Sequence, residues 1–262
     1  MHSCLSQDFF AGEDSIQRTT PFSTFVLLPG NMCDARMWHG GEGVLINTLG
    51  SHAPTVIHHA DLTRDNNIAA MATRTLAAVQ GNVLPIGFSM GAIVAVEMWC
   101  QAPERITGLV LLGYNATADL PERAAQRPAQ QADVRAGGLE RVLVEELKPN
   151  YLARQNREDA ALLDLLRDMG MDLGAEVFMR QSEALRCRED RREALPQINV
   201  PVLLGSGAED SLCPPAWHEK WAAQIRASTN FSVAGAGHML PLEAPDALAH
   251  QIERWLARKE NT

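Results

Sequence analysis

The sequence predicts an α/β protein, a doubly wound, mostly parallel sheet of about six strands with a helical segment inserted between two of them. Three observations lead there. Short runs of Val, Leu and Ile alternate with helix-like patterns up to about residue 116, the rhythm of βαβ units. The rhythm stops between about residues 117 and 195, where Arg, Glu, Ala and Leu dominate and no strand pattern survives. It resumes from 196 to 262. The expected organisation is therefore a core of 21–116 and 196–262, a helical cap of 117–195, and a loose polar extension of 1–20.

The first strand is expected over Pro21–Leu28 and is stopped by Pro29-Gly30. A loop, Asn31-Met32-Cys33-Asp34, leads to a helix within Ala35–Leu49, with Trp38 packed on the sheet. Thr55–His58 reads as a second strand. Asn67 is a cap candidate for a helix over Ile68–Val79, whose Ile68, Met71, Leu76 and Val79 share a face. Val83–Gly87 is the third strand, followed by a helical pattern from Ala92 to Trp99, and Ile106–Leu112 is the fourth. Such near-continuous apolar runs suit parallel strands covered on both faces. In the insertion, Leu139-Val142-Leu143-Leu147, Leu162-Leu163-Leu165-Leu166 and Val177-Phe178 read as faces of three or four short helices, punctuated by Pro149 and Gly170. Val200–Gly205 is a strand. Pro214-Pro215 opens a helix to about Ile225, Asn230–Val233 is the last strand, and Pro245 opens a final helix with Leu248, Ile252, Trp255 and Leu256 as its buried stripe.

The net charge of −9 argues against a nucleic-acid surface, which needs clustered basic residues. No apolar run approaches the length of a membrane span, and residues 1–20 have neither the basic start nor the apolar stretch of a secretion signal. Five scattered cysteines without a C-x-x-C pair suggest free thiols in a reducing, cytoplasmic setting rather than a disulfide framework or zinc site. No phosphate-loop, metal or redox motif occurs, so no cofactor is expected, and the partner is a small molecule. The sequence does not speak to oligomeric state.

The chemistry centres on Gly87-Phe88-Ser89-Met90-Gly91. A serine at the tip of a sharp strand-to-helix turn is the context of a nucleophile elbow. Its hydroxyl must stand clear of the sheet, and the flanking chain passes so close that side chains at 87 and 91 would clash. The helix N-terminus directs free N–H groups at the place where negative charge develops. A serine hydroxyl needs a base and the base an orienting acid. His238, on the loop Ala234–His238 after the last strand, is the best placed of eight histidines. Asp210, after the strand that begins at Val200, is the acid, with Glu209 as its rival and helix capping as its bland alternative. Two oxyanion donors are expected: the N–H of Met90, and the N–H of Asn31 or alternatively Met32 in the loop that Gly30 opens.

These motifs, with Gly207–Pro214, Gly237-His238-Met239 and the links Gln101–Ile106 and Asp190–Leu195, resemble the α/β-hydrolase fold superfamily from about Pro21 onward. The resemblance is to its capped group of carboxylesterases, lactonases and carbon–carbon bond hydrolases. It implies the chain order Ser89, Asp210, His238 for the triad. Pro29 stands where many relatives have His, Ala92 replaces a second Gly, and Gly113 occupies a position where some relatives carry the acid. The family's first antiparallel hairpin has little room before Pro21, hence the reduced sheet. The implied activity is a serine hydrolase acting through an acyl-enzyme on a small ester, thioester or lactone. The alternatives are a carbon–carbon hydrolase of a dienoate, or a ligand-binding signalling module with slow hydrolysis. Cap arginines (Arg135, Arg141, Arg154, Arg180, Arg186) are candidates for anchoring a substrate carboxylate.

Overall fold

A computed structural model describes residues 24–52, 56–147 and 151–259. The expected extension 1–20, the start of the first strand run, Thr55 and Pro149 lie outside them. One sheet holds six strands: β1 (Thr24–Leu28), β2 (Val56–His59), β3 (Val83–Phe88), β4 (Leu109–Leu112), β5 (Val202–Gly207) and β6 (Ser228–Val233). Their order is β2-β1-β3-β4-β5-β6, and every pairing is parallel. The C-terminal ends of β1, β3, β4 and β5 therefore share one edge. The register sets Leu28 beside Gly87 and Phe88 beside Leu112.

Alternation along the strands builds two core layers. Val26, Leu28, Leu109, Leu111, Val202 and Leu204 face α2 (Ile68–Ala78), α3 (Met90–Gln101) and the helix Pro215–Ala222. Phe25, Leu27, Leu84, Ile86, Val110 and Leu203 face α1 (Gly40–Gly50) and the helix Pro245–Lys259. Each fully buried Leu, Ile or Val contributes about 1.5–3 kcal/mol of transfer free energy, so both layers fix the sheet firmly. Trp38 is buried on the second layer, and the Leu248, Ile252, Trp255, Leu256 stripe is buried as expected. Asn67 caps α2, its Oδ1 accepting from the Ala70 N–H at 2.7 Å.

Some boundaries move for local reasons. Ile106 makes only a single bridge to Val83, and β4 proper begins at Leu109, after Gly108, which has no side chain to pack in a strand. Pro201 has no N–H for the ladder, and β5 starts at Val202 and runs on to Gly207. The stretch after Asp34 is a 3-10 turn, Ala35–His39, joined to α1 through left-handed Gly41, Glu42 and Gly43.

Between β4 and β5 every regular element among the described residues is helical, with no strand. α4 (Pro121–Arg135) is followed by the turns Leu139–Arg141 and Val142–Leu147, and then by α5 (Ala160–Arg186). The expected short helices around Leu162 and Val177 are the two halves of this element, one on each side of a break, and only the punctuation is misplaced. Gly170 is inside the helix, where a Cβ would lie 2.6 Å from Leu143 Cδ1. The break comes at Gly174, with φ of 80°. Val134, Leu139, Val142, Leu143, Val177 and Phe178 form a separate small core, which Met32 of the β1 loop joins. The later helices are α6 (Pro215–Ala222) and α7 (Pro245–Lys259). Among the described residues no helix is long and apolar enough to cross a membrane.

Candidate active site

Ser89 sits between β3 and α3 with φ 52° and ψ −112°, a conformation that non-glycine residues rarely adopt. Its N–H donates to the Leu112 carbonyl at 2.8 Å, so the neighbouring strand holds the turn. The flanking glycines are required by close approach. A Cβ at Gly87 would lie 2.4 Å from the Gly91 carbonyl oxygen, and one at Gly91 only 2.0 Å from that of Leu28. The second clash is with β1 rather than with the turn itself, so Gly91 also seats α3 against the sheet.

Ser89 Oγ lies 3.0 Å from His238 Nε2, and His238 Nδ1 lies 2.8 Å from Asp210 Oδ2. His238 and Asp210 are buried, at 4% and 3% exposure. The other carboxylate oxygen of Asp210 accepts from the N–H groups of Leu212 (2.9 Å) and Cys213 (2.8 Å). Asp210 therefore pairs with His238 through one oxygen and ties the loop before the helix Pro215–Ala222 with the other, and that helix has Pro214 at its N-cap with no side-chain cap. Burial pushes this carboxyl up, but the His238 charge and hydrogen bond and the two backbone donors outweigh it, and the net shift is downward. An ionised Asp210 only accepts, so the His238 Nδ1 carries the proton and its Nε2 is left to accept from the Ser89 hydroxyl. Glu209 is directed elsewhere, accepting from the Arg154 N–H at 2.9 Å.

Gly113 contributes by what it lacks. Its φ is +56°, and a Cβ there would lie 2.9 Å from His238 Cε1, so the imidazole occupies the space of a side chain. Phe88 and Tyr151 flank the ring, with centroids 4.9 and 5.8 Å away. The His238 N–H donates to the Tyr151 carbonyl at 2.7 Å. Glu243 Oε1 accepts from the N–H groups of Gly237 (3.0 Å) and Met239 (3.1 Å), while Oε2 accepts from Ala153 N–H (2.7 Å) and Asn156 Nδ2 (2.9 Å). One carboxylate thus joins the His238 loop to the insertion. The sequence signal was an acid five residues after the histidine, to which no role was assigned.

The two oxyanion candidates in the β1 loop differ in their surroundings. Met32 is left-handed, with φ of 52°, and its N–H donates to Gln181 Oε1 at 2.8 Å, while Gln181 Nε2 donates to the Leu62 carbonyl at 3.1 Å. Asn31 lines a cavity of about 200 Å³ together with Ser89 and His238. Met90 opens α3 directly after Ser89. Gln181 was not foreseen, because its partner is 149 residues away.

The arginines expected to face substrate do not reach this cavity. Arg141 pairs with Asp133 and Glu146, Arg180 donates to the Thr63 carbonyl, Arg186 pairs with Glu183, and none of these, nor Arg135 or Arg154, lines it. Arg123, Arg127 and Arg188 do. His218 is the other buried histidine among the described residues. Its Nε2 accepts from the Tyr114 N–H at 2.9 Å and its Nδ1 faces the Pro214 carbonyl at 3.3 Å, so it is neutral and braces the loop after β4. Burial moves its pKa down.

The model of the alpha/beta hydrolase family matches residues 25–251. The biotin biosynthesis bifunctional protein BioHC of Cellvibrio japonicus is 26% identical over 87% of this chain, which spans 46% of that protein's length. The pimeloyl-[acyl-carrier protein] methyl ester esterase of Serratia marcescens is 28% identical over 73% of this chain and 76% of its own. Among solved structures, a thermophilic esterase from Thermogutta terrifontis superposes with a TM-score of 0.79 at 24% identity, covering 90% of each chain. The enol-lactonase of Burkholderia xenovorans gives 0.75 at 20% identity, covering 90% of this chain and 92% of its own.

Proposed function

The chain belongs to the alpha/beta hydrolase family, and we propose that it is a serine hydrolase that cleaves a small carboxylic ester through an acyl-enzyme on Ser89. The observation that carries this reading is the unbroken hydrogen-bond chain from Ser89 Oγ through His238 to Asp210, at 3.0 and 2.8 Å, opening on a cavity. The ester is favoured over a thioester, a lactone or a carbon–carbon bond by the methyl ester esterases among the relatives.

In the first half-reaction His238 Nε2 takes the Ser89 proton as Oγ attacks the carbonyl carbon. The developing oxyanion accepts from the N–H groups of Met90 and Asn31. Met90 is supported by its place at the helix start, and Asn31 by the engagement of the Met32 N–H with Gln181. One such donor is worth about 10²–10³ in rate. Asp210 holds the imidazole in the required tautomer and stabilises the imidazolium. His238 then returns the proton to the departing alcohol. In the second half-reaction it takes a proton from water, which attacks the acyl carbon, and returns that proton to Ser89 Oγ as the acyl–Oγ bond breaks and the acid leaves. The helical segment 117–195 acts as a cap whose residues select the substrate, a role supported by the lining residues it contributes.

Short-chain p-nitrophenyl esters test this. The expected result is a burst of one nitrophenolate per active site followed by a slower steady rate, with both phases absent in Ser89→Ala. Hydrolysis by Ser89→Ala at the parental rate would remove the nucleophile assignment.

A further inference from the structure

The inward stripe of α4 is unusual for a helix packed over a cavity. Arg123, Gln126, Arg127 and Gln130, at spacings i, i+3, i+4 and i+7, all line it. An amphipathic helix places apolar residues at those positions; this one places hydrogen-bond donors. The loop after β4 adds Asn115, which is 4% exposed and also lines the cavity. Its Oδ1 accepts from the Thr117 N–H at 3.1 Å, and a backbone N–H can face only the oxygen, which fixes the orientation of the amide. Its Nδ2 is buried and has no partner among the described residues. A buried, unpartnered donor costs free energy unless a ligand meets it.

The charges around the cavity do not cancel. Asp119 accepts from both Arg127 (2.6 Å) and Arg188 (2.7 Å), so one carboxylate serves two guanidiniums. Arg188 is committed to this scaffold, bonding also to the Thr117 and Ala118 carbonyls. Arg127 keeps an Nη1 without a partner among the described residues. Arg123 donates only to the Leu212 carbonyl, at 3.1 Å, and has no carboxylate partner among them. Glu146, the only acid among the described lining residues, is held by Arg141 (2.8 Å) and Gln130 (3.0 Å). Burial pushes the Tyr151 hydroxyl up, and Arg127 and Arg123 oppose that shift, so their positive charge is felt at the residue beside His238.

We propose that Arg123, Arg127 and Asn115 form an anion subsite in the cavity that Ser89 opens onto, and that the ester cleaved carries a free carboxylate beyond the scissile carbonyl. The subsite presents donors without a matching acceptor, the complement of a carboxylate. The cavity of about 200 Å³ is below the roughly 300–1,000 Å³ of sites for drug-sized ligands, so the acid is short. The cleavage part of this proposal rests on the serine-hydrolase reading; the anion site itself does not.

Calorimetric binding of glutarate to the full-length protein separates the two. Wild type binds glutarate and not its neutral diamide. Arg123→Gln raises the Kd at least tenfold, and Asn115→Asp, which keeps the Oδ1 bond and adds a like charge, raises it further. In a parallel assay the kcat/KM ratio of mono-p-nitrophenyl glutarate to p-nitrophenyl valerate exceeds ten for wild type and falls at least tenfold in Arg123→Gln. Arg123→Lys, keeping the charge, restores part of it. Glutarate binding without hydrolysis of either ester keeps the subsite and overturns the serine-hydrolase reading. Ester hydrolysis with no glutarate binding and no anionic preference overturns the subsite and leaves that reading standing. Equal glutarate affinity in wild type and Arg123→Gln also overturns it.

Discussion

The cavity is built by two regions of unlike construction. The sheet supplies Ser89, Gly113 and His238 at the C-terminal ends of parallel strands, held by backbone bonds and by contacts too close for any side chain. The helical insertion supplies Arg123, which donates to the Leu212 carbonyl, Arg127, which pairs with Asp119, and Tyr151, whose carbonyl accepts from the His238 N–H, and it packs a small apolar core that Met32 joins. The sheet region carries the reactive groups of the proposed chemistry, and the insertion carries the groups proposed to choose what is cleaved. The two are joined at many points, among them Gln181 on Met32, Glu243 on Ala153 and Asn156, and Glu209 on Arg154. Substitutions on the sheet side should abolish turnover or folding, those at the junctions should reduce it, and those in the insertion should redistribute it among substrates.

The largest effect is expected for the reactive groups. Ser89→Ala and Asp210→Asn should each lower kcat on a p-nitrophenyl ester by about 10³–10⁴-fold or more, with unchanged far-UV circular dichroism. Gly91→Ala comes next, as a loss of fold rather than of chemistry. Its Cβ would fall 2.0 Å from the Leu28 carbonyl oxygen, and α3 cannot retreat from the sheet without opening the core. Little folded protein should be recovered, whereas Gly50→Ala, whose Cβ would meet nothing within 4 Å, should melt like the parent.

A junction substitution should be milder and selective. Gln181→Leu leaves the Met32 N–H without its partner and frees a left-handed residue to relax. The expected result is a kcat reduced about tenfold with KM little changed, because an oxyanion donor acts in the transition state and not in the ground state. An equal rise in KM would instead place Gln181 in substrate binding. The smallest effect is expected with pH. Burial lowers the pKa of His218 in the folded state, so its contribution to stability is fully present above the unfolded value of about 6.5 and is lost as pH falls below it. The Tm should decline from pH 7 to pH 5, and His218→Gln should flatten that slope. A slope unchanged in the variant would assign it to other groups.

The same contrast governs what could be read from the sequence. Ser89, Asp210 and His238 were legible because each follows a strand-like apolar run, and parallel strands must bring their C-terminal ends to one edge. The glycines of the elbow were legible for the same local reason. The insertion was not. α4 has almost no apolar residues to set the phase of its faces, so nothing in the sequence said that Arg123 and Arg127, rather than Arg135 or Arg141, turn inward. Gly174, not Gly170, breaks α5, because a glycine seated against Leu143 is compatible with a helix and only the backbone reveals the positive φ. Gln181, and Glu243 through its Oε2, reach partners 87 to 149 residues away, beyond any spacing rule.

The most direct test of the central claim is mass spectrometry of the full-length protein after reaction with a fluorophosphonate. A single phosphonyl adduct should appear, map to the peptide containing Ser89, and form far more slowly in Asp210→Asn. An adduct on any other residue, or none on the folded protein, would contradict Ser89 as the nucleophile.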